Sequence, residues 1–320
     1  MRKLTKFWLV IAASLILIGA GIFTSMLANS NWDIGRMSTL AYKTNVYTSF
    51  EQFQNISIET MTADISFIFT EIDCSRVVCY EMEKAPHTVS FDGEKLTIKQ
   101  TDHRLWYDHL GINFDMPEIK IYLPKSNYGA LNIATTTSNI SIPANFQFES
   151  VNISGTTGDI KCNASTSGVF KAKMTTGDLT LDNISVGSLD FTATTGKTNI
   201  SDVLCYGDMH INVSTGKMDL TNVKCNGLNT KGTTGDISMD NFVAEDHLII
   251  NRTTGDVRFK ESDASLIHIE LDTGNVNGNL LTGKEFTVNT STGRTNIPDN
   301  SPGGTCIVKT STGNIKITVG

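Results

Sequence analysis

The sequence predicts an all-β protein: a parallel β-solenoid (β-helix) of about ten 19–20-residue coils with an irregular β cap, preceded by one N-terminal transmembrane helix. Three observations predict it. A short Ser/Thr-Thr-Gly turn recurs through the second half of the chain. Apolar residues stand in fixed columns on both sides of that turn. An uncharged stretch behind a basic tip opens the chain.

The turn first occurs in degenerate form as Thr136-Thr137-Ser138 and then carries Gly158, Gly177, Gly196, Gly216, Gly235, Gly255, Gly274, Gly293 and Gly313. From Ser138 onward the steps are 20, 19, 19, 20, 19, 20, 19, 19 and 20 residues. A period that tight marks a stacked repeat architecture. Counting from each turn position, +2 is apolar in Ile160, Leu179, Met218, Ile237, Val257, Val276 and Ile315, and +4 in Leu181, Ile200, Leu220, Met239, Phe259, Ile297 and Ile317. Upstream, −7 carries Phe170, Leu189, Met209, Leu228, Leu248, Ile267 and Phe286, and −5 carries Ile153, Phe191, Ile211, Ile250, Ile269, Val288 and Val308. Apolar and polar residues alternate within each copy, which is strand periodicity. A third apolar column at +7 (Ile184, Val203, Val223, Phe242, Leu281) suggests a corner or a short third strand.

One copy therefore reads as strand, turn, strand and a short return. It cannot close a core alone. Stacking copies at about 4.8 Å buries one continuous apolar tube and makes a rod of roughly 45–50 Å. The turn glycines supply positive φ without steric cost. The preceding threonines, Thr157, Thr176, Thr195, Thr215, Thr234, Thr254, Thr273, Thr292 and Thr312, are expected to form a structural ladder along one edge. A flat, lattice-binding Thr face is disfavoured because the next position varies among Asp, Asn, Lys and Arg.

At the N-terminus, Arg2, Lys3 and Lys6 precede an uncharged run from Phe7 to Ala28, about 33 Å long as a helix. That length, and a poor small-x-small exit at Ser25-Met26-Leu27-Ala28, favour an uncleaved anchor over a cleaved signal peptide. The basic tip keeps the N-terminus cytoplasmic and the solenoid extracellular. The organisation is then 1–28 basic tip and transmembrane anchor, 29–50 polar stalk, 51–130 N-terminal β cap with a first degenerate coil, and 131–320 repetitive β-solenoid.

Within the cap, Ile56, Ile58, Ala63, Ile65 and Phe67 reproduce the coil columns around Thr62-Ala63-Asp64-Ile65. A longer excursion follows, with a strand near Val77–Glu81, a hairpin from Val89 to Ile98 around Asp92-Gly93, and a strand Glu118–Leu123 stopped by Pro124. Solenoids need an atypical terminal unit over the open core, and this segment suits that role. At the other end, Ile317 is the last column residue and no polar capping unit follows it, so an exposed sheet edge is expected at residues 305–320, with end-to-end self-association or a capping partner there.

A net charge of −7 without a basic block argues against nucleic acid and against docking on polyanions. Of the six cysteines, Cys162 and Cys306 fall in core columns, while Cys205 and Cys225 share a phase in adjacent coils, which leaves a bridge between them open. If the segment around them is one strand, Cys74 and Cys79 face opposite sides and cannot bond to each other, and no Cys/His metal spacing occurs.

Several segments imitate catalytic motifs. Gly196-Lys197-Thr198 resembles the end of a phosphate loop, but Phe191 stands where the first Gly belongs and a strand follows. Asp272-Thr273-Gly274 resembles an aspartic-protease turn, yet it sits in repeat phase without a partner copy. Asp159, Asp178, Asp236 and Asp256 share one column, as in calcium-binding repeats, but Lys197 and Lys217 interrupt it. Asp102-His103, Trp106-Tyr107 and Asp108-His109 make the most aromatic exterior loop, a candidate ligand patch. The constant coil length leaves no loop in the repeats to wall a catalytic cleft. No catalytic residue, cofactor or metal site is therefore expected.

The anchor, Thr62-Ala63-Asp64-Ile65, Ile119-Lys120-Ile121-Tyr122-Leu123-Pro124 and the Thr-Gly repeats together resemble the bacterial "putative adhesin" domain family of unknown function, which includes LiaG-like and YvlB-like envelope proteins. The resemblance covers about residues 45–318. It implies a membrane-anchored, surface-exposed β-solenoid without catalytic residues. The expected function is an adhesin-like or scaffolding surface module at the cell membrane, meeting an envelope protein or glycan. The alternatives are an accessory protein of an envelope-stress or regulatory system, acting through a membrane partner, and a carbohydrate-active enzyme.

Overall fold

The computed structural model describes residues 3–29, 31–32, 41–105 and 115–320. Among the described residues, one helix, Lys3–Asn29, precedes twenty-four strands that hydrogen-bond into a single continuous sheet. That sheet winds into a parallel β-solenoid of about ten turns.

The columns explain the winding. At −7, −5, +2 and +4 the apolar side chains point inward and are buried through almost the whole stack, from Ile153, Ile160 and Cys162 to Ile267, Ile269 and Val276. The exceptions, Val288 and Ile297, belong to the coil of Gly293 and are only half-buried. The +7 residues Ile184, Val203, Val223 and Phe242 are buried, whereas Leu281 is exposed. Asn183, Asp202, Asn222 and Asn241, immediately before the four buried ones, and Glu261, before Ser262 in the same phase, all have φ between 49° and 54°. They form a second corner, opposite in role to the Gly corner, made in the left-handed region that Asn and Asp tolerate best. Asn222 Nδ2 donates to Asp202 Oδ1 at 2.9 Å and Asn241 Nδ2 to Asn222 Oδ1 at 3.0 Å, so this corner has its own ladder.

At the N-terminal end the stacking order departs from chain order. The first coil, Asn55–Thr60 and Asp64–Phe69, pairs in parallel with Asn127–Thr135 and Ile140–Ile142 on one side. On its other side lie Lys95–Gln100 and Glu118–Leu123, also parallel. Strands His87–Phe91, Ser75–Met82 and Tyr42–Ser49 then add antiparallel pairings. The excursion thus folds back and covers the apolar end of the tube.

The C-terminal end is also out of order, and this corrects the expectation of an open edge at 305–320. Strand Thr305–Thr312 lies between Leu266–Thr273 and Glu285–Thr292, parallel to both. Ile315–Val319 pairs along its length with Val276–Leu280 and, at Ile315 and Lys316, with Thr295–Asn296. The outermost coil is therefore Glu285–Asn296, and among the described strands the unpaired edge at this end is carried by that coil and by the outer side of Ile317–Val319. The crossing segments are tied by Lys284, buried to 1% exposure, whose Nζ contacts Asp263 Oδ1, Thr282 Oγ1 and the Gly303 carbonyl, each at 2.6 Å. Cys205 and Cys225 are free thiols, as are the other four cysteines.

Candidate functional site

The repeated turns form one continuous edge. Thr137, Thr157, Thr176, Thr195, Thr215, Thr234 and Thr254 pair in succession to Thr273, which is followed by Thr312 and Thr292. From Gly158 to Gly313 the turn glycines have φ between 130° and 157°. At Gly216 a Cβ would stand 1.7 Å from the Gly196 carbonyl oxygen, so the corner has no room for a side chain.

The acidic column has a structural use. Asp159 Oδ1 accepts the Asp178 N–H at 2.8 Å, Asp178 Oδ1 the Lys197 N–H at 2.7 Å, and Asp256 Oδ1 the Asn275 N–H at 2.8 Å. Asp64 opens the series with Asn139, and Asn275 continues it to Asn314, 39 residues on. Each side chain satisfies a backbone donor of the next coil, which explains Asp and Asn here without calcium. Arg258 also bridges Asp236 and Asp256, at 3.1 and 2.6 Å. In Gly196-Lys197-Thr198 the Lys197 N–H is thus occupied, and Thr198 is buried in a strand. Asp272-Thr273-Gly274 is an ordinary corner of the stack.

Inside the cap lies a carboxylate–imidazole–hydroxyl series that the sequence reading did not single out. Glu81 Oε2 is 2.6 Å from His87 Nδ1, and His87 Nε2 is 2.9 Å from Thr60 Oγ1. Glu81 also accepts the His87 N–H at 2.6 Å and Asn45 Nδ2 at 2.5 Å. Burial pushes the Glu81 carboxyl up, but the hydrogen bonds from the His87 ring, the His87 amide and Asn45 outweigh it and hold it below the usual carboxylate range. Cys79 joins them, its ligand atom within 4.8 Å of those of Glu81 and His87, and burial together with the Glu81 charge pushes its thiol up to about 12. These three side chains could hold a metal ion by proximity. A protonated thiol and a fully engaged carboxylate favour a polar clasp instead. The clasp joins strands Tyr42–Ser49, Asn55–Thr60, Ser75–Met82 and His87–Phe91, none of which is adjacent to all the others in sequence. It is closed to solvent, since Glu81, His87 and Thr60 are all buried.

The exterior of the cap carries a cleft of about 670 Å³. Its walls are the four connections at 49–55, 73–75, 93–94 and 124–128, at the edge opposite the repeated turns. Regular coils make this edge with a short return; the cap replaces the return with longer segments, and the cleft opens between them. The cleft is thus walled by the irregular connections of the cap and not by the constant-length coils of the repeats. Phe53 and Tyr128, with ring centroids 6.2 Å apart, pack at its base, and the Tyr128 hydroxyl donates to the Pro124 carbonyl at 2.9 Å. Asn55 Oδ1 accepts the Ala130 N–H at 2.9 Å, which fixes the inner wall. In the aromatic loop proposed as a ligand patch, Arg104 pairs with Asp102 at 2.8 Å. Trp106, Tyr107, Asp108 and His109 lie outside the described residues, as does the middle of the 29–50 stalk.

A family model described as Toastrack DUF4097 matches residues 53–207 and again 201–320. Among solved structures, a "putative adhesin" from Bacteroides fragilis is 13% identical, with 86% of this chain and 97% of that one covered and a TM-score of 0.39. A "putative adhesin" from Parabacteroides distasonis is 10% identical, covering 87% and 98%, with a TM-score of 0.44. A "putative lipid binding protein" from Parabacteroides distasonis is 15% identical, covering 75% and 98%, with a TM-score of 0.34. No curated protein matches the chain.

Proposed function

For a chain that belongs to the Toastrack DUF4097 family over residues 53–207 and 201–320, we propose a single-pass membrane protein that displays a rigid, non-catalytic β-solenoid outside the cell as an adhesin-like surface module. The observation that carries it is the N-terminal helix. Thr5–Asn29 has a mean hydropathy of 2.3, and its most apolar window buries nothing against the rest of the protein. Phe7, Trp8, Ile16 and Leu17 are all exposed, a surface that water does not tolerate and a bilayer does. With Arg2, Lys3 and Lys6 ahead of it, the helix holds its N-terminus in the cytoplasm and the rod outside.

A non-catalytic reading suits the chemistry. Polar side chains of the repeats such as Asp159, Asp178, Asp256, Asn222 and Asn241 support backbone amides or each other, and the carboxylate–imidazole–hydroxyl series is sealed in the cap.

The test is made on intact cells expressing the full chain. Externally added protease should remove the solenoid, alkaline extraction should leave the protein in the membrane, and mass spectrometry should find an uncleaved N-terminus. Display on a non-adherent bacterium should raise its retention on envelope-derived or glycan-coated surfaces. A protected solenoid, or a mature chain beginning after residue 28, would overturn the topology; unchanged retention would overturn the adhesin role.

A further inference from the structure

We propose that the cleft in the cap binds a short oligosaccharide carrying no carboxylate, sulfate or phosphate. This inference rests on the surface-display reading above and adds the site and the ligand class.

The cleft volume of about 670 Å³ falls within the range of small-ligand sites. Phe50 stands at the lip with 80% of its surface exposed. An aromatic ring left in water beside a polar hollow offers its face to a flat partner that is apolar on one side and polar at its edge. A sugar ring has that character: C–H groups on its faces and hydroxyls around the rim. Gln52, Gln54, Ser126 and Asn127 surround the mouth, all exposed, and supply both donors and acceptors to hydroxyls.

Charge selects among sugars. Glu51, Asp73 and Glu94 line the cleft against a single cation, Lys125. Three acids to one base repel an anionic polymer and accept a neutral or amino-bearing one. Carboxylates also take two hydroxyls at once, which strengthens their contacts to a polyol. The cleft's position agrees, since the walls are connections held at their ends by the solenoid. Loops fixed on a rigid scaffold are where binding groups are usually placed.

The experiment uses the full chain in detergent micelles, titrated with cellotetraose, chitosan tetramer, tetragalacturonate and a lysine-rich peptide. Cellotetraose or chitosan tetramer should bind, and Phe50→Ala should weaken that binding at least tenfold while melting at the wild-type temperature. Thr234→Ala, on the remote turn edge, should bind as wild type does. Binding unaffected by Phe50→Ala would overturn the proposal. So would tetragalacturonate or the peptide binding as tightly as the best neutral or amino sugar, or no sugar binding at all. If no sugar binds while displayed chains still retain cells on surfaces, the cleft assignment fails and the adhesin reading stands. Sugar binding without any retention overturns the adhesin reading alone.

Discussion

Thr273 pairs with Thr312, two repeats ahead, and not with Thr292, the next ladder residue in sequence. The same exchange recurs at every column of this end: Ile267 faces Cys306, and Phe286 faces Cys306 from the other side. Gly313 repeats it at the corner, where a Cβ would strike the Gly274 carbonyl oxygen at 1.9 Å. Thr305–Thr312 is therefore clamped on both sides, Ile315–Val319 is clamped on both sides only at Ile315 and Lys316, and a coil made earlier in sequence is left outermost. Both ends of the rod share this device, because the first coil is also covered by a segment that comes after it.

Disulfide trapping tests the order directly. Glu270 and Lys309 are paired neighbours with exposed side chains, whereas Glu270 and Asn289 are two levels apart, about 9.6 Å. Glu270→Cys with Lys309→Cys should cross-link readily on mild oxidation, and Glu270→Cys with Asn289→Cys should not, since a disulfide needs Cα atoms within about 7 Å. A non-reducing gel separates the two. The reverse pattern would restore the sequential stack.

This end shows where the sequence stops being informative. The columns at −7, −5, +2 and +4 identify the buried face of nearly every coil because burial depends on side-chain direction, which alternation reveals. Stacking order does not depend on it. Every coil presents the same columns to its neighbours, so Thr273 over Thr292 and Thr273 over Thr312 satisfy the same pattern. What distinguishes them lies between the repeats: Lys284 reaching Asp263, and Gly303 and Gly304, both at positive φ, packed against the Gly283 and Ser265 carbonyls. The second corner is legible in the +7 apolar column, and more sharply in Asn183, Asp202, Asn222 and Asn241, which recur six residues after the turn glycine. The cleft was not legible, because its walls are four irregular connections brought together only by the folding-back of the cap.

Gly216→Val should be severely destabilising, by at least about 3 kcal/mol. The new Cβ meets the Gly196 carbonyl, a backbone atom that cannot move without unpairing two coils, and φ at 155° disfavours a branched side chain. Asn212→Val, on the outward face of the preceding strand, should stay within about 0.5 kcal/mol. Equal losses in urea unfolding of the two variants would contradict the corner assignment.

The Glu81–His87 clasp predicts an acid-sensitive cap. A carboxyl held below its ordinary value of 4.5 contributes stability above that pH and loses it as the pH falls through the folded-state value. Glu81→Gln should cost about 3 kcal/mol at pH 7, because it weakens a buried charge-assisted pair. The gap between variant and wild type should narrow below pH 4.5. Glu59 and Asp236 are also held low, by Lys99 and by the Asp256 N–H respectively, so only the difference between the two proteins isolates the clasp. A gap that stays constant with pH would show that Glu81 acts through packing alone.

Arg252 is the opposite case, a buried charge that the fold tolerates. Its side chain is 4% exposed and lies over Gly232, where a Cβ would come within 2.5 Å of Nη1. Nη1 donates to the Val213 carbonyl at 3.3 Å, while Nε and Nη2 have no partner among the described residues. Burial pulls the guanidinium below its ordinary range, the direction expected when a cation loses water and finds no anion. At this inward position the next coil carries Leu271, and the coil beyond Gly232 carries Val213. Arg252→Met keeps most of the length and removes the charge, so it should raise stability by about 1–2 kcal/mol and move the thermal midpoint upward by a few degrees. The gain arises because one weak hydrogen bond does not offset desolvating a whole guanidinium. A lower midpoint for Arg252→Met would mean that Nε and Nη2 are satisfied in solution by a bound water or anion, and the same measurement repeated across chloride concentrations would tell which.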